Sequence, residues 1–238
     1  MRTLFCFSLL LFLLSCKPTN VETIAPEYPD WYTIQSPIDK ELQSVWGNRD
    51  KTLVIATFSE VFRSTDQGKS WKKVLQQSIG IFGLVSYKDT LFTLNGLLNS
   101  RYLVNPGNYS IDDGKNWQRY TRRNPVFDPS ENGSKTAYSI NPVTTANSLQ
   151  YTINQVFLDG PAATTGIFET PGVIRSDGRR IDLPQLHQLH SLYLDDQERL
   201  YITGTDAVCS SGHSGQSFSF CNSKNGRGVV YISKRPQP

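Results

Sequence analysis

The chain has 238 residues, with 24 Lys and Arg against 21 Asp and Glu and a formal charge of +3. So even a balance gives no electrostatic footprint for nucleic acid, while the length suffices for one domain of ordinary to large size with a substantial core. No helix-period segment of useful length follows the first apolar run, which argues against an α/β enzyme fold, and Gly-rich phosphate loops, nucleophile elbows and zinc-protease helices do not occur.

Met1-Arg2 supplies one positive charge, and residues 4–14 form an apolar run broken only by Cys6 and Ser8. These are the charged and apolar regions of an export signal. The run is too short to span a bilayer, which takes about twenty apolar residues, and Lys17-Pro18-Thr19-Asn20 ends it abruptly. Its end, Leu13-Leu14-Ser15-Cys16, resembles the bacterial lipobox. The resemblance implies cleavage after Ser15 and two or three acyl chains on Cys16, enough for stable anchoring where a single chain gives only marginal binding. The competing reading is an ordinary secretory signal cut elsewhere, with Cys16 incidental. The expected organisation is a lipoprotein signal over residues 1–15, a lipidated tether over 16–29 and one domain over 30–238. Three prolines and few large apolar groups make the tether a solvated segment. The expected location is the bacterial cell envelope, with the lipid holding the protein at the outer membrane or cell surface rather than the inner membrane.

Along the domain, residues 52–57 and 60–64, and then 90–94 and 108–110, are short segments rich in β-branched or aromatic residues, separated by turn formers. Each pair of strands leads into an octapeptide: Ser64-Thr65-Asp66-Gln67-Gly68-Lys69-Ser70-Trp71, and then Ser110-Ile111-Asp112-Asp113-Gly114-Lys115-Asn116-Trp117. The two share Ser-x-Asp-x-Gly-x-x-Trp at a spacing of 46 residues, which suits one four-stranded blade. They resemble the Asp-box, or BNR repeat, of sialidases and related β-propellers. In such a turn Asp accepts hydrogen bonds from backbone N–H groups, Gly takes a positive φ, the Ser hydroxyl ties down the turn, and Trp buries its ring at the next strand. Ser64, Asp66, Gly68, Trp71, Ser110, Asp112, Gly114 and Trp117 are therefore structural. The resemblance places such boxes on the rim away from the ligand face, so Asp66 and Asp112 are not expected to be catalytic acids.

A weaker third copy covers residues 148–153 and 172–178, with Asp177-Gly178 echoing the turn and Ile181 standing where Trp is expected. A fourth begins at 190–194, continues through 199–203 and ends at 228–233 without its outer strand. Residues 31–34, in Asp30-Trp31-Tyr32-Thr33-Ile34, resemble the strands that follow the boxes, yet no box precedes them. Placed beside residues 229–233 they complete the last blade and protect the open edges. The expected fold is all-β: a small β-propeller of four blades, closed by the N-terminal strand. Five blades is the alternative, because the interval from Trp117 to Ile181 could hide another unit or merely carry insertions at 122–135 and 159–170.

Once Cys6 is removed and Cys16 acylated, Cys209 and Cys221 remain, and two leftover thiols of an exported protein usually pair. A disulfide closing this Gly- and Ser-rich loop contributes about 3 kcal/mol on the loop-length model. Zinc on Cys209, His213 and Cys221 lacks a fourth ligand and the usual paired spacing.

The resemblance raises sialidase activity, and sialidases typically carry an Arg-Ile-Pro segment near their start, an arginine triad, a Tyr and Glu nucleophile pair and an acid/base Asp. Arg-Ile-Pro is absent, Arg63 and Arg175 sit on strands near boxes rather than at recognised triad positions, and the chain is too short for six blades. His187-x-x-His190 on a strand points its rings to opposite faces, and both histidines are expected to be half-exposed rather than a metal pair. The doublets Arg122-Arg123 and Arg179-Arg180 read as solvated loop charges. No catalytic residue, metal or cofactor is expected. The expected function is a lipid-anchored, non-catalytic envelope module that contacts the membrane through its lipid and binds a protein or glycan partner. The alternative is a reduced sialidase-like glycoside hydrolase with a carboxylate pair in its central funnel.

Overall fold

The computed structural model describes residues 29–98, 102–121, 139–164, 166, 168–183, 188–205 and 227–237. Cys16, the signal segment, Cys209 and Cys221 lie outside the described residues. The elements are all strands, and they form four antiparallel four-stranded sheets arranged as a four-bladed β-propeller. The first blade holds β1's successors in chain order, β2 (Ser44–Gly47), β3 (Leu53–Ala56), β4 (Glu60–Ser64) and β5 (Lys72–Gln76), where β1 is Trp31–Gln35. The second holds β6 (Gly83–Tyr87), β7 (Thr90–Leu98), β8 (Tyr102–Ser110) and β9 (Gln118–Arg119). The third holds β10 (Val143–Thr144), β11 (Gln150–Phe157), β12 (Phe168–Arg175) and β13 (Arg180–Asp182). The fourth holds β14 (Leu189–Leu194), β15 (Leu200–Thr205) and β16 (Gly228–Ser233), with β1 as its outermost strand.

Closure occurs where the sequence places it: β1 runs antiparallel to β16, pairing Trp31 with Ser233 and Ile34 with Val230. The four units are therefore four blades, and among the described residues the interval from Trp117 to Ile181 holds β9 of the second blade and the strands of the third. Three innermost strands, β2, β6 and β10, carry no strong strand signature because they are short and include Ser44, Gly83 and Ser86. The β7–β8 hairpin is longer than the pattern predicts. A bulge at Thr93/Leu94 and a positive φ at Asn105 absorb residues that read as turn formers.

Middle strands are packed on both faces, so β3, β15 and β16 are buried along their whole length and read as continuous apolar runs rather than alternating ones. Outer strands such as β5 and β13 are largely exposed and carry Lys72, Lys73 and Arg180, charges that discourage edge-to-edge pairing. Adjacent blades are also tied by hydrogen bonds. The Leu84 amide donates to Ser44 Oγ at 3.1 Å, the Leu189 amide to Thr170 Oγ1 at 2.9 Å, and the Leu192 amide to the Ile140 carbonyl at 2.7 Å.

Each intact box packs against the preceding blade. Gly68 has φ +84°, and a Cβ there would sit 2.7 Å from Ile34 Cγ2 on β1 of the fourth blade. Gly114 has φ +75°, and its Cβ would sit 2.9 Å from Val54 Cγ2 on β3 of the first blade. Gly68→Ala should therefore cost about 2–3 kcal/mol, combining left-handed strain with an inter-blade clash. Gly178→Ala, with φ +87° but open space around it, should cost only about 1 kcal/mol. Urea denaturation checks this, and trimming Ile34 to Ala in the Gly68→Ala background should recover part of the clash; equal costs at both glycines would contradict the inter-blade packing.

Candidate functional site

Strand alternation divides the propeller into two faces. Turns joining the first to the second and the third to the fourth strand of each blade lie on one face, which also holds both boxes. The other connections lie on the opposite face; among the described residues these include 36–43, 57–59, 77–82 and 158–164. Connections displayed on a rigid scaffold are where binding residues concentrate.

The two boxes are built alike. The Ser64 hydroxyl donates to Asp66 Oδ1 at 2.7 Å and accepts the Gly68 amide at 2.9 Å, while the Ser70 amide donates to Asp66 Oδ1 at 2.9 Å. In the second box the Ser110 hydroxyl donates to Asp112 Oδ1 at 2.8 Å, and the Gly114 and Asn116 amides close the turn at 3.0 and 2.8 Å. Trp117 packs against the core between blades and its indole N–H donates to the Gly114 carbonyl at 3.0 Å. Trp71 packs against the core joining the fourth and first blades. In the decayed third turn the carboxylate of Asp177 instead receives the Arg175 guanidinium at 2.9 Å. Donors from Ser70 and Ser64 hold the Asp66 carboxyl at about 2, and the Asn116 amide and side chain, with Ser110, do the same for Asp112.

At the axis the four innermost strands surround a channel of about 540 Å³. Trp46, Leu84, Val143, Leu192 and Tyr193 line it, and the described lining contains neither Asp nor Glu. Burial pushes the Tyr193 hydroxyl up to about 12, so it stays protonated.

Beneath the axis on the box face, a charged cluster joins the fourth blade to the first. Arg199 donates to Asp195 at 2.8 Å, to Asp50 at 2.7 Å and to Asn48 at 2.7 Å, and the Tyr201 hydroxyl donates to Asp195 at 2.9 Å. The amides of Gln197 and Arg199 supply Asp195 Oδ1, each at 2.9 Å. Every acceptor of the buried carboxylate is thus engaged, which fits an inter-blade clasp rather than a reactive acid. The sequence pattern did not reveal it, because Arg199 meets Asn48 and Asp50 only when the ring closes.

His190 departs from its expected half-exposed setting: its side chain is only 17% exposed and Nε2 lies 3.5 Å from Glu41 Oε2. The β14–β15 pairing skips His190 in a bulge between Leu189 and Ser191, so strand alternation does not set its direction. Burial pushes its imidazole down to about 4 and pushes Glu41 up. His187 lies outside the described residues. Arg63 and Arg175 are not brought together as a carboxylate clamp: Arg63 donates to the Asp113 carbonyl at 2.9 Å, and Arg175 pairs with Asp177. Among the described residues no group of His, Cys, Asp or Glu could hold a metal ion, and no helix is long and apolar enough to cross a membrane.

The open face carries a different feature. Phe58, Ile79, Val156 and Leu158 are exposed on or beside its connections, whereas Ile111 is the exposed large apolar residue of the box face. Comparison with family models and with curated proteins finds no match to this chain. The fold and the site together define a four-bladed β-propeller that carries two Ser-x-Asp-x-Gly-x-x-Trp turns on one face and exposed apolar side chains on the other.

Because the box carboxyls titrate well below the ordinary value of 3.8, the stability they give is complete above that value and is lost as pH falls through about 2. Asp66→Asn with Asp112→Asn should flatten the fall in thermal midpoint between about pH 4 and pH 2. An unchanged acid profile would separate these carboxylates from acid stability.

Proposed function

We propose that the protein is a lipid-anchored, non-catalytic β-propeller of the bacterial cell envelope that binds a protein partner through the face opposite its boxes. The observation that carries this reading is that four of the five exposed large apolar side chains among the described residues, Phe58, Ile79, Val156 and Leu158, lie on that face. Apolar residues grouped on one face favour a macromolecular partner. The channel's described lining lacks the carboxylate pair that glycoside hydrolysis requires, which favours binding over the hydrolase alternative. A glycan would need polar groups converging beside an aromatic platform, whereas Phe58 and Ile79 present apolar surface. The lipobox-like end at Cys16 supports the anchor, with the tether over residues 17–29 leading into β1.

Crosslinking of the full chain in its native envelope, followed by pull-down, tests both parts. Cys16→Ser should move the protein from the membrane to the soluble fraction. Ile79→Glu with Leu158→Glu, both at exposed positions, should lower recovery of a specific partner by about tenfold or more. Ile111→Glu, equally exposed but on the box face, should leave recovery unchanged. Equal losses in the two variants, or no specific partner from the unmodified chain, would overturn the binding assignment.

A further inference from the structure

The box face carries a second concavity, at the rim between the third and fourth blades, with a volume of about 470 Å³. Four guanidinium groups from three separate elements line it: Arg175 ends β12, Arg179 and Arg180 belong to the following turn and β13, and Arg235 lies on the tail after β16. Asp177 neutralises Arg175, and Asp182 stands 3.6 Å from Arg180. Among the described residues, no carboxylate pairs with Arg179 or Arg235. Asp30 and Asp182 share the lining, but the four guanidiniums outnumber the three carboxylates at the groove, so the arrangement favours an anionic ligand.

The wall that carries Arg235 is fixed in place. The Ser233 hydroxyl donates to the Arg235 carbonyl at 2.8 Å, the Gln237 amide donates to the Glu198 carbonyl at 2.8 Å, and the Tyr151 hydroxyl donates to the Gln237 carbonyl at 3.1 Å. Tyr151 is fully buried in the third blade, so the tail is pinned across the junction of the two blades. The opposite wall is set by the Asp177 turn, whose carboxylate accepts both the Arg175 guanidinium at 2.9 Å and the Arg179 amide at 3.1 Å. Backbone ordering of this kind is already complete before a ligand arrives, which lowers the entropic cost of binding.

We propose that this groove is a phosphate site, with Arg179, Arg180 and Arg235 as its binding residues. The planar guanidinium fork matches phosphate oxygens, and guanidiniums on both walls can engage several oxygens of one phosphate at once. The phosphate can belong to a lipid headgroup or to a soluble ligand. Asp30, which follows the expected tether in sequence, also lines the groove. Under the lipid-anchor reading, on which the headgroup source alone rests, a headgroup phosphate is the nearest supply.

The test uses the mature chain with Cys16→Ser, so that acylation contributes nothing; acylation of the unmodified chain is read separately from the mass of its N-terminal peptide. Vesicles of phosphatidylglycerol and phosphatidylcholine should bind this chain about tenfold better than pure phosphatidylcholine. Arg179→Gln with Arg235→Gln should abolish most of that difference. Lys69→Gln with Lys115→Gln, the same charge change at the boxes, should leave more than half of it. On the unsubstituted side chains, inorganic phosphate should slow phenylglyoxal modification of Arg179 and Arg235, located by peptide mapping, more than that of Arg119. Protection by phosphate without vesicle binding keeps the site and assigns it a soluble source. Equal losses in the two paired variants together with no phosphate protection would reduce the groove to general surface charge and overturn the proposal.

Discussion

The five-residue pairing of β1 with β16 is the interaction on which the rest of the structure depends. Without it the fourth blade ends at β16, and the buried Val230 and Ile232 lose the strand that covers them. The first box loses its seat too, since Gly68 packs on Ile34 of that same strand. One local pairing therefore supports the last sheet and its junction with the first. The Arg199 clasp lies at the same junction, where Asn48 and Asp50 receive a guanidinium from the far end of the chain. A closed ring of four small sheets concentrates its longest-range contacts at one seam, and both polar and apolar contacts reinforce it.

The elements readable from sequence were those whose residue types have a single steric or hydrogen-bonding use. Ser, Asp, Gly and Trp at box spacing marked two turns, and the tryptophan-bearing segment at 31–34 marked the closing strand. Less readable were the axial strands, since a strand as short as β10 leaves no alternation to detect. The residues before the box glycines, Gln67 and Asp113, also take positive φ, a turn property that the motif does not fix at those positions. His190 was misplaced because a bulge cancels the two-residue alternation used to orient it. The arginine groove could not be seen in the doublet Arg179-Arg180 alone, since Arg235 reaches it only because the tail after β16 is held to Glu198 and Tyr151.

The same division explains where function can reside. Motif residues are consumed by turn geometry: each box carboxylate is filled by hydroxyl and amide donors, and each box glycine is pressed against a neighbouring blade. Conspicuous residues are scaffold here, whereas Ile79, Val156 and Leu158 stand exposed on the open face. Its apolar side chains and the arginine groove lie on opposite faces, so a partner and an anionic surface could be engaged at once without competing for the same residues.

Native-state hydrogen exchange measures the seam directly. The hydrogen-bonded amides of β1 should exchange with the same free energy of opening as those of β15 and β16, because the ring opens as one unit. Exchange of β1 at the rate of a frayed terminus, with β15 and β16 still protected, would contradict closure as the constraint that holds the propeller together.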